Sequence, residues 1–75
     1  MKRTNLPLDT KHTHIGMILQ YKYLNNPTYT YTIIDKPQIC HGKSVVKARI
    51  NETNETFFFN NWMLQDSIIL TNIPS

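Results

Sequence analysis

Three cations and one aromatic residue are the side chains of this chain best suited to chemistry. Lys43, Lys47 and Arg49 fall on one face of an alternating segment, and Phe58 lies in the segment that follows. Same-face positions of a β-strand recur about every 7 Å, a distance close to the spacing of successive phosphates on a nucleic-acid strand. An aromatic ring beside such a row can stack on an unpaired base. The pattern predicts a surface for contact with phosphates and bases.

These side chains need a β-hairpin to hold them on one surface. Residues Lys43–Ile50 alternate, with the three cations on one face and Val46, Ala48 and Ile50 on the other. Such alternation is typical of a half-buried strand with a polar outer surface. The segment Thr56–Asn60 contains three consecutive Phe and returns as the second strand. We therefore predict that the two segments pair antiparallel.

The register of this hairpin decides which Phe side chains are exposed. A two-residue turn at positions 53 and 54 would set Arg49 opposite Phe58 and would bury Phe57 and Phe59. The same turn would bring two glutamates together, so a longer loop or a bulge remains open. A slip by one residue would invert the assignment. Phe57 and Phe59 would then face solvent, and a hydrophobic protein partner would be favoured.

Further elements complete the predicted domain. Strands are predicted at residues 15–24 and 28–34, where alternate side chains are apolar or aromatic, and a loop is predicted around Cys40 to Gly42. A short turn at residues 62–64, capped by Asn60 or Asn61, precedes a closing strand at residues 67–73. Residues 1–14 are predicted to form a flexible basic arm. The side chains predicted to point inward from the first two strands are Met17, Leu19, Tyr21, Tyr23, Tyr29, Tyr31 and Ile33.

Length and composition restrict the chain to one small domain. A chain of 75 residues buries too little surface for a large enclosed active site. Eight Asn, nine Ile and nine Thr against two Gly favour strands over helices. The lone Cys40 excludes an internal disulfide, and residues 1–14 contain no apolar run typical of a signal peptide, so we expect a cytoplasmic protein. The net charge of +3 is compatible with attraction to phosphate or to an acidic protein.

The order of these elements resembles that of the SH3-like small barrels, including the KOW, Tudor and chromo-barrel types. The shared features are Gly16 at the first strand, a distal hairpin at residues 51–56 and a short turn at residues 61–64. The resemblance covers residues 15–73 and rests on architecture, without a diagnostic motif. It implies an all-β, five-stranded SH3-like barrel at residues 15–75 with a short 3-10 turn before the last strand. The Ala-Leu-Tyr-Asp pattern of peptide-binding SH3 domains is absent, which argues against proline-peptide recognition.

Other chemistry has weaker support in the residues. Tudor and chromo barrels use aromatic cages for methylated lysine, but packing explains the four Tyr, because all of them lie on the apolar side of their strands. Trp62 is expected to plug the barrel in the same way. The three His and Cys40 lack the spacing of zinc ligands, since Cys40 and His41 are adjacent and point apart. The carboxylates lie mainly in turns or in the arm, so we predict no catalytic residue, no metal site and no cofactor.

The leading hypothesis is a non-enzymatic binding module that contacts nucleic acid or a nucleoprotein through the basic strand. The predicted binding residues, which the basic arm assists, are Lys22, Lys43, Lys47, Arg49, Phe58 and Trp62. The alternative is a small accessory protein that docks onto a larger protein through an edge strand or through Phe58 and Ile18. A composition typical of AT-rich coding sequences is compatible with a phage or mobile element that encodes an inhibitor of a host protein. Self-association through an exposed Phe is a third hypothesis.

Overall fold

The computed structural model describes residues 9–71, which form an antiparallel β-sheet with two short helices. A one-turn 3-10 helix, Thr10–His12, precedes the sheet, and a five-residue helix α1, Asn61–Gln65, lies between the last two strands. The predicted arm at residues 1–8 and the end of the predicted closing strand lie outside the described residues. The six strands are β1 (Ile18–Lys22), β2 (Thr28–Ile33), β3 (Gln38–Cys40), β4 (Lys43–Ile50), β5 (Thr56–Asn60) and β6 (Ile68–Thr71).

The sheet is a meander whose last strand returns to the first. β4 pairs with β5 along one edge, while β2 and β3 pair with successive parts of its other edge. β1 pairs with β2, and β6 pairs with the free side of β1. The prediction of an all-β fold is confirmed, but the strand count of five is wrong. The sheet is also not closed into a barrel, because β5 and β6 end as its two outer strands within residues 9–71.

The additional strand is β3, which the sequence analysis assigned to a loop. Residues 41 and 42 form a two-residue turn between β3 and β4, with φ of 53° at His41 and 77° at Gly42. Positive φ at both central positions is the signature of a type I′ turn, whose twist suits an antiparallel hairpin. Pro37, which has no backbone N–H to donate, lies in the break between β2 and β3. One edge of β4 is therefore covered by two short strands.

The hairpin of β4 and β5 forms as predicted, but its register differs. Lys47 lies opposite Phe58, and Arg49 lies opposite Thr56, so the predicted pairing of Arg49 with Phe58 is wrong. The Ile50 N–H donates to the Glu55 carbonyl at 2.7 Å, which leaves a four-residue loop at positions 51–54. This longer loop shifts the register by two residues. A shift of two keeps every side chain on its predicted face.

The core lies on the inner face of the sheet and follows the predicted alternation. Phe59 is fully buried, whereas Phe58 keeps 50% of its surface exposed. The rings of Tyr31 and Phe59 meet edge to face at 4.9 Å, a favourable arrangement for two aromatic rings. The buried apolar residues are Met17, Leu19, Tyr31, Ile33, Val46, Ala48, Ile50, Phe59 and Leu64.

A helical turn follows β5, as expected, but it is an α-helix rather than the predicted 3-10 turn. The Met63 N–H donates to the Asn60 side-chain oxygen at 3.0 Å, which confirms Asn60 as the N-cap. Leu64, not Trp62, plugs this end of the core, because Leu64 is fully buried and Trp62 is 78% exposed. A five-residue helix packed on a sheet buries only one of its sides, and Leu64 lies on the buried side.

The 3-10 helix joins this end of the sheet through Thr10, a buried residue within the predicted arm. The Thr10 N–H donates to the Asn61 side-chain oxygen at 2.9 Å, and the Thr10 hydroxyl hydrogen-bonds to that of Ser44. Thr10 is thereby linked to Ser44, which lies 34 positions further along the chain, and to Asn61, which lies 51 positions further.

Candidate functional site

The outer face of β4 and β5 carries four of the six predicted binding residues. We name Lys43, Lys47, Arg49 and Phe58 the basic face. The three cations occupy alternate positions of β4 on the side opposite the core, with Val45 between Lys43 and Lys47. Lys43 and Arg49 are exposed, and Lys47 is half-buried. The basic face is therefore a single row of positive charge with one aromatic ring at its side.

Lys47 lies at the centre of the basic face. Phe58 is its direct neighbour on β5, and Ile34 flanks it on the other side, since the Ile34 N–H donates to the Lys47 carbonyl at 3.0 Å. A lysine between two apolar neighbours can lay its methylene stem against them and keep its ammonium group in water, which accounts for the half-buried state of Lys47. Lys47 and Phe58 are thus direct neighbours in the register of the two strands.

Arg49 is oriented by the distal loop. Its guanidinium Nη2 donates to the Asn51 side-chain oxygen at 3.4 Å, and the same oxygen accepts from the Thr32 hydroxyl at 3.0 Å. The backbone N–H of Asn51 donates to the Thr30 carbonyl at 2.9 Å. The loop is therefore fixed against β2. Within residues 9–71 the guanidinium group makes no other hydrogen bond, so its remaining donors can bind phosphate oxygens.

Two carboxylates that lie close to the basic face along the chain are hydrogen-bonded elsewhere. Glu52 accepts from the backbone N–H and the hydroxyl of Thr30 at 2.9 and 3.0 Å, and the backbone hydrogen bond lowers the pKa of its carboxyl. Asp35 accepts from the Lys36 N–H at 2.8 Å. Across residues 9–71 the one close contact between a basic and an acidic side chain joins His12 to Asp9. The cations of the basic face are consequently not neutralised by a contact with a described carboxylate.

Lys22 and Trp62 stand apart from the basic face. Lys22 lies opposite Thr28, and Arg49 lies opposite Thr32, so the two cations are separated by one strand and about 13 Å along the strand direction. The Lys22 ammonium group donates to the Leu24 carbonyl at 2.8 Å. Trp62 belongs to α1 and is exposed. Of the arm cations, Lys11 is exposed on the 3-10 helix, and the other two lie outside the described residues.

Tyr21, Tyr23 and Tyr31 form a cluster of rings with Phe57 and Phe59, and Tyr29 packs against the core. The ring of Tyr21 lies 5.3 Å from that of Phe59, and the ring of Tyr23 lies 5.4 Å from that of Phe57. Burial raises the pKa of both Tyr21 and Tyr31. The faces of these rings are thus used in packing, as the sequence analysis expected.

A polar cavity lies at the end of the sheet where the 3-10 helix docks. It is lined by Asp9, Thr10, Lys11, Ser44 and Asn61. His12 Nδ1 lies 2.8 Å from Asp9 Oδ1, but the Ser44 hydroxyl bonds to Thr10 instead. Nucleophilic catalysis requires the base to reach the nucleophile, and His12 and Ser44 are hydrogen-bonded to different residues. Among residues 9–71 no three His, Cys, Asp or Glu side chains come together as metal ligands.

The groups that support the basic face were not predicted from the sequence. Ile34 was predicted only as the last residue of a strand, and Asn51 as part of the distal hairpin turn. The signal for Asn51 was its place directly after the last residue of the strand, where a short amide side chain can bond to neighbouring backbone and side chains. No helix in residues 9–71 is long and apolar enough to cross a membrane.

Comparison with known proteins gives no relative: no family model, curated protein or solved structure matches this chain.

Proposed function

We propose that this protein is a non-enzymatic module that binds single-stranded nucleic acid, alone or within a nucleoprotein, through its basic face. The observation that carries the proposal is the position of Phe58, which is 50% exposed and directly opposite Lys47. Exposed aromatic rings beside cations are the common device for binding single strands, since bases stack on the rings and phosphates contact the cations. A duplex hides its base faces, so Phe58 favours a single strand.

The fold type that we propose for this module is an SH3-like barrel that remains open. Support comes from the meander order, from the return of β6 to β1 and from the helix that precedes β6. In this interpretation β2 and β3 are the two halves of one bent strand, because they share an edge of β4. The exposed thiol of Cys40 suits a reducing compartment, which supports action in the cytoplasm.

Charge reversal on the basic face tests this function. The double variant Lys47→Glu and Arg49→Glu should lower the affinity for a labelled oligothymidine by at least about tenfold at low salt, because two phosphate contacts become repulsive. Affinity is measured by fluorescence anisotropy at several salt concentrations. For the unaltered protein, log affinity should fall against log salt with a slope of about −2, as expected for three contacts on a single strand.

The matched control is the double variant Lys11→Glu and Lys22→Glu. It changes the net charge by the same amount and leaves the four residues of the basic face unaltered. It should retain most of the affinity, whereas an equal loss in both variants would indicate attraction by net charge alone. Phe58→Ala should weaken binding to the single strand by about tenfold and leave duplex binding unchanged, because stacking needs an unpaired base. Absence of low-salt binding to single-stranded DNA, duplex DNA and RNA would contradict the proposal.

A second candidate function is docking onto a larger protein, including inhibition of a host protein by a phage or mobile-element product. The exposure of Trp62 favours it, because Trp residues often anchor protein interfaces. In that case the unaltered protein should form a stoichiometric complex that resists nuclease and high salt, and Trp62→Ala should disrupt this complex. The same variant should leave oligothymidine binding unchanged, so the two functions are separable. Ile18 and Phe58, which the sequence suggested as an anchor for this docking, lie on strands separated by β2 and β4.

A further inference from the structure

A carboxylate, that of Glu52, takes the place of a missing strand beside β2. β4 ends at Ile50, which lies opposite Tyr31. The backbone N–H of Thr30, the residue before Tyr31, donates to the Glu52 carboxylate at 2.9 Å. The Thr30 hydroxyl donates to the other oxygen of the same carboxylate at 3.0 Å. A backbone N–H of the sheet is thus satisfied by a charged side chain that two hydrogen bonds hold in place.

The Glu52 carboxylate lies on the same side of the sheet as the basic face. The Thr30 hydroxyl to which it is bonded points outward, because the neighbouring Tyr31 is fully buried in the core. Arg49 lies opposite the residue two positions after Thr30, and Lys22 lies opposite the residue two positions before it. Each of those positions is about 7 Å from Thr30 along the strand. Glu52 therefore separates the last cation of the basic face from Lys22.

The Asn51 side chain connects the Glu52 carboxylate to Arg49 through the Thr30 hydroxyl. Asn51 Nδ2 donates to that hydroxyl at 3.3 Å, and Asn51 Oδ1 accepts from Arg49 Nη2 at 3.4 Å. No ion pair within residues 9–71 joins Glu52 to Arg49. The backbone hydrogen bond from Thr30 lowers the pKa of the Glu52 carboxyl, so this group is charged at neutral pH. The basic face thus ends beside a fixed negative charge.

This charge opposes any phosphate that passes beyond Arg49. At a distance of about 7 Å in water, the repulsion between a carboxylate and one phosphate lowers binding by about threefold at low salt. Lys43 and Arg49 are six residues apart on β4, so about four successive phosphates span the distance between them. A strand that follows β4 therefore meets cations over this length and a carboxylate directly after it.

We propose that Glu52 ends the binding surface, so that the basic face takes an unpaired segment of about five nucleotides. This inference rests on the proposed function, since it requires a single strand that follows β4. Lys22 stays outside the surface although its side chain is exposed and its ammonium group is bonded only to the Leu24 carbonyl. Lys22 joins the surface when the charge of Glu52 is removed.

Removal of this charge without a change in side-chain shape tests the limit. Glu52→Gln keeps an oxygen that accepts from the Thr30 N–H, so the loop is retained. The probes are oligothymidines of five and eight nucleotides without terminal phosphates, and their affinities are measured by fluorescence anisotropy at low salt. The ratio of the two affinities should rise at least about threefold in the variant, and the salt slope for the longer strand should steepen from about −2 to about −3.

Two further variants serve as controls. Glu55→Gln removes the same charge from a carboxylate just after the same loop that is not bonded to Thr30, and it should leave the ratio unchanged. Lys22→Ala should cancel the gain in the Glu52→Gln background and should have no effect on its own, because the two residues are coupled only through the strand that passes both. Circular dichroism checks that every variant is folded.

The outcomes separate this limit from the proposed function. A ratio that rises in Glu52→Gln alone, and that falls back when Lys22 is also replaced, supports the proposal. It is overturned if Glu52→Gln leaves the ratio unchanged, if Glu55→Gln raises it equally, or if Lys22→Ala alone weakens binding of the longer strand. Those results leave binding by the basic face intact. Absence of binding to both oligothymidines, in contrast, overturns the proposed function and this limit with it.

Discussion

At the scale of single residues, Phe58 and Phe59 are neighbours with opposite roles. Phe59 is fully buried against Tyr31, and Phe58 lies half-exposed beside Lys47. Phe59→Ala should therefore lower the free energy of unfolding by about 3 to 5 kcal/mol, the usual cost of removing a buried Phe. Phe58→Ala should change it by less than about 1 kcal/mol, because the ring is only partly covered. Urea titrations followed by circular dichroism measure both values.

The pair of variants also checks the register of the hairpin. A slip of one residue would exchange the two phenotypes, so Phe58→Ala would become the destabilising change. Equal effects from both variants would contradict the described packing. Because Phe58 contributes to binding in the proposed function, its variant should combine near-normal stability with reduced affinity for oligothymidine.

The faces of individual side chains were predictable from the sequence, whereas their neighbours were not. Alternation alone placed Met17, Leu19, Tyr31, Val46 and Phe59 inward, and all of them are buried. The partner of Phe58 depended on the length of the loop at positions 51–54, and a two-residue error there preserved every face. Side chains alternate between the two faces of a strand every two residues, so the alternation cannot distinguish strand registers that differ by two residues.

At the scale of elements, the turn between β3 and β4 depends on Gly42. Its φ of 77° lies in the left-handed region, and an added Cβ would meet no atom within 4 Å. Gly42→Ala should thus destabilise the protein through backbone strain alone, by about 1 to 2 kcal/mol. His41→Asn should instead stabilise slightly, since Asn-Gly is the preferred pair for a type I′ turn. Thermal unfolding of the two variants provides the measurement, and an unchanged melting temperature for Gly42→Ala would argue against the turn.

The boundaries of β4 and β5 were predicted to the residue, but β3 was missed. Long alternating segments carry a strong signal, and Lys43–Ile50 is the longest strand of the sheet. β3 has three residues, all exposed, so its pattern is too short to be read. The sequence feature that could have predicted β3 is the His41-Gly42 pair, a two-residue turn directly before the clearly alternating strand β4. Similarly, α1 was expected as a 3-10 turn because three residues were assigned to a helix that has five.

At the scale of the whole molecule, β6 differs from the other strands in how it joins the sheet. Every other pairing connects strands that are consecutive or nearly so along the chain, whereas β6 must find β1 across about 45 intervening residues of loop and sheet. Bringing the two ends of so long a segment together costs chain entropy before the contacts that offset this cost can form. We therefore expect β6 to join the sheet last during folding and to open first.

Hydrogen exchange can detect this order. At dilute protein concentration, the amides of β6 should exchange faster than those of β4 by about tenfold or more, because β6 opens without unfolding the rest. Equal protection of the two strands would mean that the sheet opens as one unit. When β6 opens, the edge of β1 that it covers becomes free to pair with a strand of another chain. We therefore expect aggregation of this protein to begin with local opening of β6 rather than with global unfolding.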